Sequence, residues 1–294
     1  MRLIRSLLIY FAVVFLGGAL LAPCLYRLTH WAASQWPSLN HLAASPFHRY
    51  VARALLGLAL IGLVPLLRGA GMFQWRAVGF GTQGRPSVEV GRGFCIGFVS
   101  LACVAALALA AHASVLTPGL SAAQFLHALL GAALTAAIVA VLEELLFRGA
   151  LFGVLRKTMP WPGALAVSSA VYSGVHFIQS ASQTGEVHWY SGFTLLVEMF
   201  RHGPPFIPAL LTLFVAGSCL ALAYQRTGAL YFSIGLHAGW IFWLSFYKLL
   251  TRPARAAHPA FWGTDKLIDG WLAFALLVVV FVVISTRLNQ PVER

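Results

Sequence analysis

Apolar runs of about twenty residues recur along the chain, separated by short polar or aromatic segments. The hydrocarbon core of a bilayer is about 30 Å thick and takes about 20 helical residues to cross, so each run predicts a spanning helix. The runs lie at roughly 3–26, 50–68, 93–114, 122–155, 161–180, 205–225, 228–249 and 269–287. The pattern predicts an all-α, polytopic transmembrane helix bundle of about eight spans, with no sequence repeat. It divides into N-terminal spans and loops over 1–121, a core over 122–250, and a last loop and span over 251–294.

The segments between the runs have characters of their own. Residues 29–48 carry Trp31, Trp36, Pro37 and Pro46 and read as an external loop with interfacial tryptophans. Residues 69–92 hold Arg76, Arg85, Arg92 and several glycines and read as a polar loop. The stretch 185–205 mixes Trp189, Tyr190, Phe193 and Leu195 with Glu186, Glu198 and Arg201, which suits a short amphipathic helix at the interface. The first run begins among Arg2 and Arg5, but it is long for a signal peptide and no small-x-small cleavage site follows. It reads as a retained span.

Composition agrees with this pattern. The 294 residues are 60% hydrophobic and only 10% charged, whereas soluble chains carry roughly 25% charged residues. The formal net charge of +12 is spread between the spans. It reads as topology signals and contacts to anionic lipid headgroups of the bilayer, not as a nucleic-acid surface. With the N-terminus inside, twelve Lys and Arg fall on the cytoplasmic side against eight on the other. The four cysteines show no Cys-x-x-Cys spacing, so neither a disulfide framework nor a cysteine metal site is indicated.

Against this background one stretch stands out, Val141-Leu-Glu-Glu-Leu-Leu-Phe-Arg148. No charged residue occurs from Ala122 to Leu142, and then two of the chain's eight acidic residues come side by side. A carboxylate at membrane depth costs several kcal/mol unless it is paired, protonated or solvated, and such groups are functional by default. Glu144 and Arg148 are four apart and share a helix face, so they can pair. Glu143 points about 100° away and is available for another task. The alternative is a structural ion pair that fixes helix assembly.

Two histidines add to the pattern. His176 ends Ser168-Ser-Ala-Val-Tyr-Ser-Gly-Val-His176, and His237 lies within Ser233-Ile-Gly-Leu-His237-Ala-Gly-Trp240. A tight turn near Lys157–Pro160 joins the fourth and fifth spans. Glu143 and His176 lie about 16 residues to either side of it, roughly 24 Å at 1.5 Å per residue, which gives them equal depth in a hairpin. Gly174, Gly235 and Gly239 would let helices approach closely and leave room for a substrate backbone. Tyr172 is one turn before His176 and can stack on it or hydrogen-bond to it.

A glutamate and two histidines in a dry cavity support two ways of hydrolysing an amide bond. They can bind Zn²⁺, which acidifies a water and polarises a carbonyl. Without a metal, Glu143 can act as general base on a water, helped by His176, while His237 donates to the developing oxyanion. No His-Glu-x-x-His motif is present.

These motifs resemble the CPBP family of intramembrane proteases, which includes the type II CAAX prenyl proteases, lysostaphin resistance protein A-like proteins and many bacterial relatives. The family pattern is Glu-Glu-x-x-x-Arg, then Phe-x-x-x-His, then His-x-x-x-Asn or Asp. Here the first motif is Glu143, Glu144 and Arg148. The second is Tyr172-Ser-Gly-Val-His176, with tyrosine for phenylalanine. The third is His237-Ala-Gly-Trp-Ile241, with isoleucine where the family has a hydrogen-bonding residue.

The resemblance implies an intramembrane endopeptidase acting on a membrane-associated protein or peptide, in a bacterial plasma membrane. It implies that Glu143 activates water, that Glu144 positions groups through Arg148, and that His176 assists the base or binds a metal. His237 would stabilise the oxyanion or complete a Zn²⁺ site. It does not imply a prenylated substrate. Two rivals stand beside it: a non-catalytic relative serving as scaffold or immunity protein, which Ile241 favours, and a proton-coupled transporter using the same three side chains.

Overall fold

The structure is a computed structural model that describes residues 2–81, 85–177, 185–198, 206–254 and 258–288. In chain order the helices are α1 (Arg2–Ala12), α2 (Gly18–Gln35), α3 (Asn40–Ala43), α4 (Phe47–Gly69), α5 (Pro86–Ala110), α6 (Ala122–Glu144) and α7 (Gly153–Leu155). They continue as α8 (Trp161–His176), α9 (Ser191–Glu198), α10 (Phe206–Thr227), α11 (Tyr231–Leu250), α12 (Pro259–Trp262) and α13 (Trp271–Arg287). Wider π-helical turns join α1 to α2 over Val13–Gly17 and α6 to α7 over Leu145–Phe152. Two short strands, β1 (Ser114–Leu116) and β2 (Thr251–Pro253), pair antiparallel with Val115 opposite Arg252.

Each predicted run coincides with a helix among the described residues, and the chain is an all-α, multi-pass membrane protein. Among the described residues, five helical stretches are long and apolar enough to cross a membrane: Arg2–Gln35, Phe47–Gly69, Pro86–Ala110, Ala122–Leu155 and Ile207–Thr227. The other three predicted spans fall short for different reasons. α8 has 16 residues and α13 has 17, while α11 interleaves histidine, serine and aromatic residues among its aliphatic ones.

Two boundaries differ most from expectation. α2 runs on to Gln35 and absorbs the start of the expected external loop, because nothing between Pro23 and Pro37 stops a helix. α5 begins at Pro86, not near residue 93. Proline is pre-set for the first helical position, and Glu89 in the first turn complements the helix dipole.

By contacts the chain forms two compact units, Met1–Phe73 with Gly174–Gly203, and Gln74–Ser173 with Pro204–Arg294. In the first, α2 packs on α4, where a methyl on Gly18 would meet Leu55 Cδ2 at 2.7 Å. The expected amphipathic segment is the short helix α9. It seats Gly192 on the backbone of Ala19, and Arg27 donates to the Val187 carbonyl at 3.2 Å. Its expected continuation to residue 205 lies outside the described residues.

The second unit is built around α11, whose residues Phe232 to Phe242 are all buried. α5 runs parallel to it at very close range. A methyl on Gly93 or Gly97 would fall on the carbonyl oxygen of Phe232 or Leu236, and one on Gly235 or Gly239 would fall on the backbone of α5. This double Gly-x-x-x-Gly contact brings two backbones together as only small residues permit. Trp240 Nε1 then donates to Ser100 Oγ at 3.0 Å and fixes the rotation of α11 against α5. α6 runs antiparallel along another side of α11, with Phe125 against Phe246 at one end. Ser121 starts α6 with a capping box, its Oγ accepting from Gln124 N at 3.2 Å while Gln124 Oε1 accepts from Ser121 N at 2.9 Å.

The glycine contact makes a testable difference between two glycines. Gly97→Ala places a methyl on backbone and should lower stability by about 1–3 kcal/mol, the usual cost of overpacking. Gly131→Ala on α6 meets nothing within 4 Å and should be neutral or stabilising by about 0.4–1 kcal/mol. Thermal melting of both variants in the same detergent reads the contrast.

Candidate active site

The last turn of α6 carries Glu143 and Glu144, and the helix then widens into the π-helical turns, a local form found frequently at functional sites. Ala132, Ala136 and Ala140 are buried at four-residue spacing, and Glu144 and Arg148 continue that line inward. Leu126, Leu130, Leu134 and Ile138, more than half exposed, form the outward line that lipid requires. The small alanines let α6 lie close to α11, so the first large side chain on that face, Glu144, reaches its partner directly.

Glu144 and Arg148 form the expected pair, with Nη1 to Oε1 at 2.8 Å and side chains 0% and 2% exposed. Arg148 is satisfied further by the Gly217 carbonyl, to which Nη2 donates at 3.2 Å, and by the Tyr172 ring, 4.4 Å from its Cζ. Gly217 can offer its carbonyl because α10 comes close to α8 there. A methyl on it would sit 3.1 Å from Ser169 Cα and 3.2 Å from Tyr172 Cδ1.

His237 joins the same carboxylate, with Nδ1 2.9 Å from Glu144 Oε1. A carboxylate only accepts, so Nδ1 carries the proton toward Glu144. In the neutral ring Nε2 then accepts, and the Tyr172 hydroxyl lies 3.2 Å from it. The Tyr172 and His237 rings meet edge to face at 6.0 Å, and Phe147 packs on Tyr172 at 5.1 Å. Arg148, Glu144, His237 and Tyr172 thus form one buried chain of polar contacts.

Glu143 stands at its edge. Its side chain is 24% exposed, and Oε2 lies 3.7 Å from His237 Nε2. The two adjacent glutamates therefore divide: Glu144 is sealed inside and holds Arg148 and His237, while the side chain of Glu143 is partly exposed and sets its buried Oε2 beside Nε2. The structure sets the Tyr172 hydroxyl on His237, 65 residues further along the chain. His176 is the last residue of α8 and belongs to the first compact unit. Ile241, one turn after His237 on α11, is 9% exposed and brings no polar atom. Gly217 was missed in the sequence, because a backbone carbonyl leaves no side-chain signal.

His237 directs Nδ1 to Glu144 and Nε2 toward Tyr172 and Glu143. Among the described residues, no three His, Cys, Asp or Glu side chains gather as ligands.

The ion pair makes a stability prediction. Arg148→Ala leaves the Glu144 charge buried without its cation and should cost about 3–5 kcal/mol, the penalty of breaking a buried pair from one side. The double variant Arg148→Met, Glu144→Leu removes both charges and should melt closer to the wild type, read by thermal unfolding.

Residues 124–243 match the family model of type II CAAX prenyl endopeptidases, Rce1-like. The match starts in the first turn of α6 and ends in α11, and so takes in Glu143, Glu144, Arg148, Tyr172, His176, His237 and Ile241. Neither the curated proteins nor the solved structures gave a match. Over these residues, 124–243, the chain is similar to the Rce1-like type II CAAX prenyl endopeptidases, which supports a CPBP-type intramembrane protease.

Proposed function

We propose that the chain hydrolyses a peptide bond of a membrane-associated protein or peptide, with Glu143 as the general base. One observation carries the reading: the side chain of Glu143 is 24% exposed, and its buried Oε2 lies 3.7 Å from a histidine nitrogen that is locked from behind by a buried ion pair. Two acceptors at that spacing suit a single water, whose two O–H groups can point one to each. Glu143 takes a proton from the water as its oxygen attacks the substrate carbonyl. The tetrahedral intermediate then collapses, the C–N bond breaks, and Glu143 returns the proton to the leaving amine.

In this reading His237 holds the water through Nε2, and Glu144 and Arg148 hold His237. For His176 the assisting role is the one that the resemblance implies. The scheme needs no Zn²⁺ step. The family name points first to lipidated peptides with a C-terminal CAAX sequence as probes, with the unlipidated peptide beside them.

Glu143→Gln should lower the cleavage rate by at least about a hundredfold, within the range of a general base. It should leave melting unchanged, because Glu143 lies at the edge of the buried chain. A variant that cleaves like the wild type would remove Glu143 from the chemistry. Cleavage should also survive exhaustive chelation. Stoichiometric zinc in the active protein, lost in a folded His237→Ala variant, would replace this scheme with a metal-assisted one.

A further inference from the structure

The tautomer of His237 raises a problem that the resemblance does not answer. With its proton on Nδ1 for Glu144, the neutral ring has no hydrogen on Nε2 to offer a developing oxyanion. Position 241, one turn along the same face of α11, is where the family pattern places a hydrogen-bonding residue, and here it is the buried Ile241. The cluster nevertheless presents one hydroxyl at this point, Tyr172, 3.2 Å from Nε2. Tyrosine is also the other departure from the family pattern, which has phenylalanine there.

We infer that the Tyr172 hydroxyl is the oxyanion donor of this protein and takes the place of the polar side chain missing at position 241. The inference rests on the protease reading above. In the resting site the O–H points to Nε2. When water and substrate enter, Nε2 accepts from the water, and the Tyr172 O–H is released to the carbonyl oxygen. It keeps its proton throughout: it donates a hydrogen bond to the oxyanion as the C–O bond to water forms, and withdraws when the carbonyl is restored. The ring cannot drift, since Arg148 lies over one part of it at 4.4 Å and Phe147 packs on it at 5.1 Å. A donor held in place before the reaction is what oxyanion stabilisation requires.

The test uses the full chain in detergent, with two quenched fluorescent peptides as probes. One carries a farnesylated cysteine followed by three residues, and the other is the same peptide without the lipid. Tyr172→Phe keeps the ring and removes only the hydroxyl. It should lower kcat by about a hundredfold or more, as loss of one oxyanion donor does, with KM within a few-fold and melting unchanged. Ile241→Asn should be close to the wild type by itself, yet in the Tyr172→Phe background it should recover at least a tenth of wild-type kcat. A purely structural tyrosine would give no such recovery.

Wild-type kcat in Tyr172→Phe overturns the inference. So does a loss confined to KM, or a kcat loss that Ile241→Asn does not repair. In each of these cases an active wild type leaves the protease reading standing. A wild type that cleaves neither probe under conditions where it is folded overturns both.

Discussion

The buried pair of Glu144 and Arg148 is the constraint on which the rest of the site depends. Two opposite charges with exposures of 0% and 2% sit in a bundle whose helices are almost wholly apolar. Neither can be tolerated alone there, and their mutual attraction offsets desolvation only if further hydrogen bonds complete the geometry. The fold supplies these from different elements: the Gly217 carbonyl from α10, the Tyr172 face from α8, and His237 Nδ1 from α11. Three helices are thereby tied to one salt bridge on a fourth. What holds the helices together and what orients the histidine are the same set of contacts.

Close backbone approach makes this possible. α11 is pinned to α5 through Gly93, Gly97, Gly235 and Gly239, and Trp240 bonded to Ser100 sets its rotation. α6 comes near through a line of alanines, so the step from Ala140 to Glu144 is a step from contact by methyl groups to contact by charge. Small residues thus do two things at once: they pack helices without a hydrophobic driving force, and they leave polar side chains as the longest reach across the gap. The widened turns after Glu144 keep Arg148 on the inner face, where it is buried with Gly149 and Ala150.

The division between neighbouring glutamates follows from this arrangement. Adjacent residues on a helix point about 100° apart, so one buried carboxylate leaves the other facing elsewhere. Glu144 fixes the tautomer of His237 by accepting from Nδ1, and Nε2 is left as an acceptor beside Glu143. Two consecutive positions thus hold a sealed inner carboxylate and an outer side chain that is 24% exposed. The arrangement lies within residues 124–243, the stretch that matches the Rce1-like family model.

The sequence by itself determined the helical class and the positions of the helices. Runs of apolar residues leave the backbone no other way to satisfy its hydrogen bonds in lipid. It also determined the Glu144–Arg148 pair, a local contact set by four-residue spacing, and the closeness of α11 to a neighbour, legible in Gly235 and Gly239. Helix ends were less legible: α2 extends to Gln35 because nothing in that stretch opposes a helix, although its tryptophans suggested a loop. The partners of His237 belonged to tertiary structure alone. Its contacts to Glu144 and Tyr172 span 93 and 65 residues of sequence, and no local periodicity encodes which faces of separate helices meet. Gly217 was beyond reach for a related reason, since its contribution is a backbone carbonyl. Only the packing of α10 against α8 decided that this carbonyl, and not another one turn away, would face the guanidinium of Arg148.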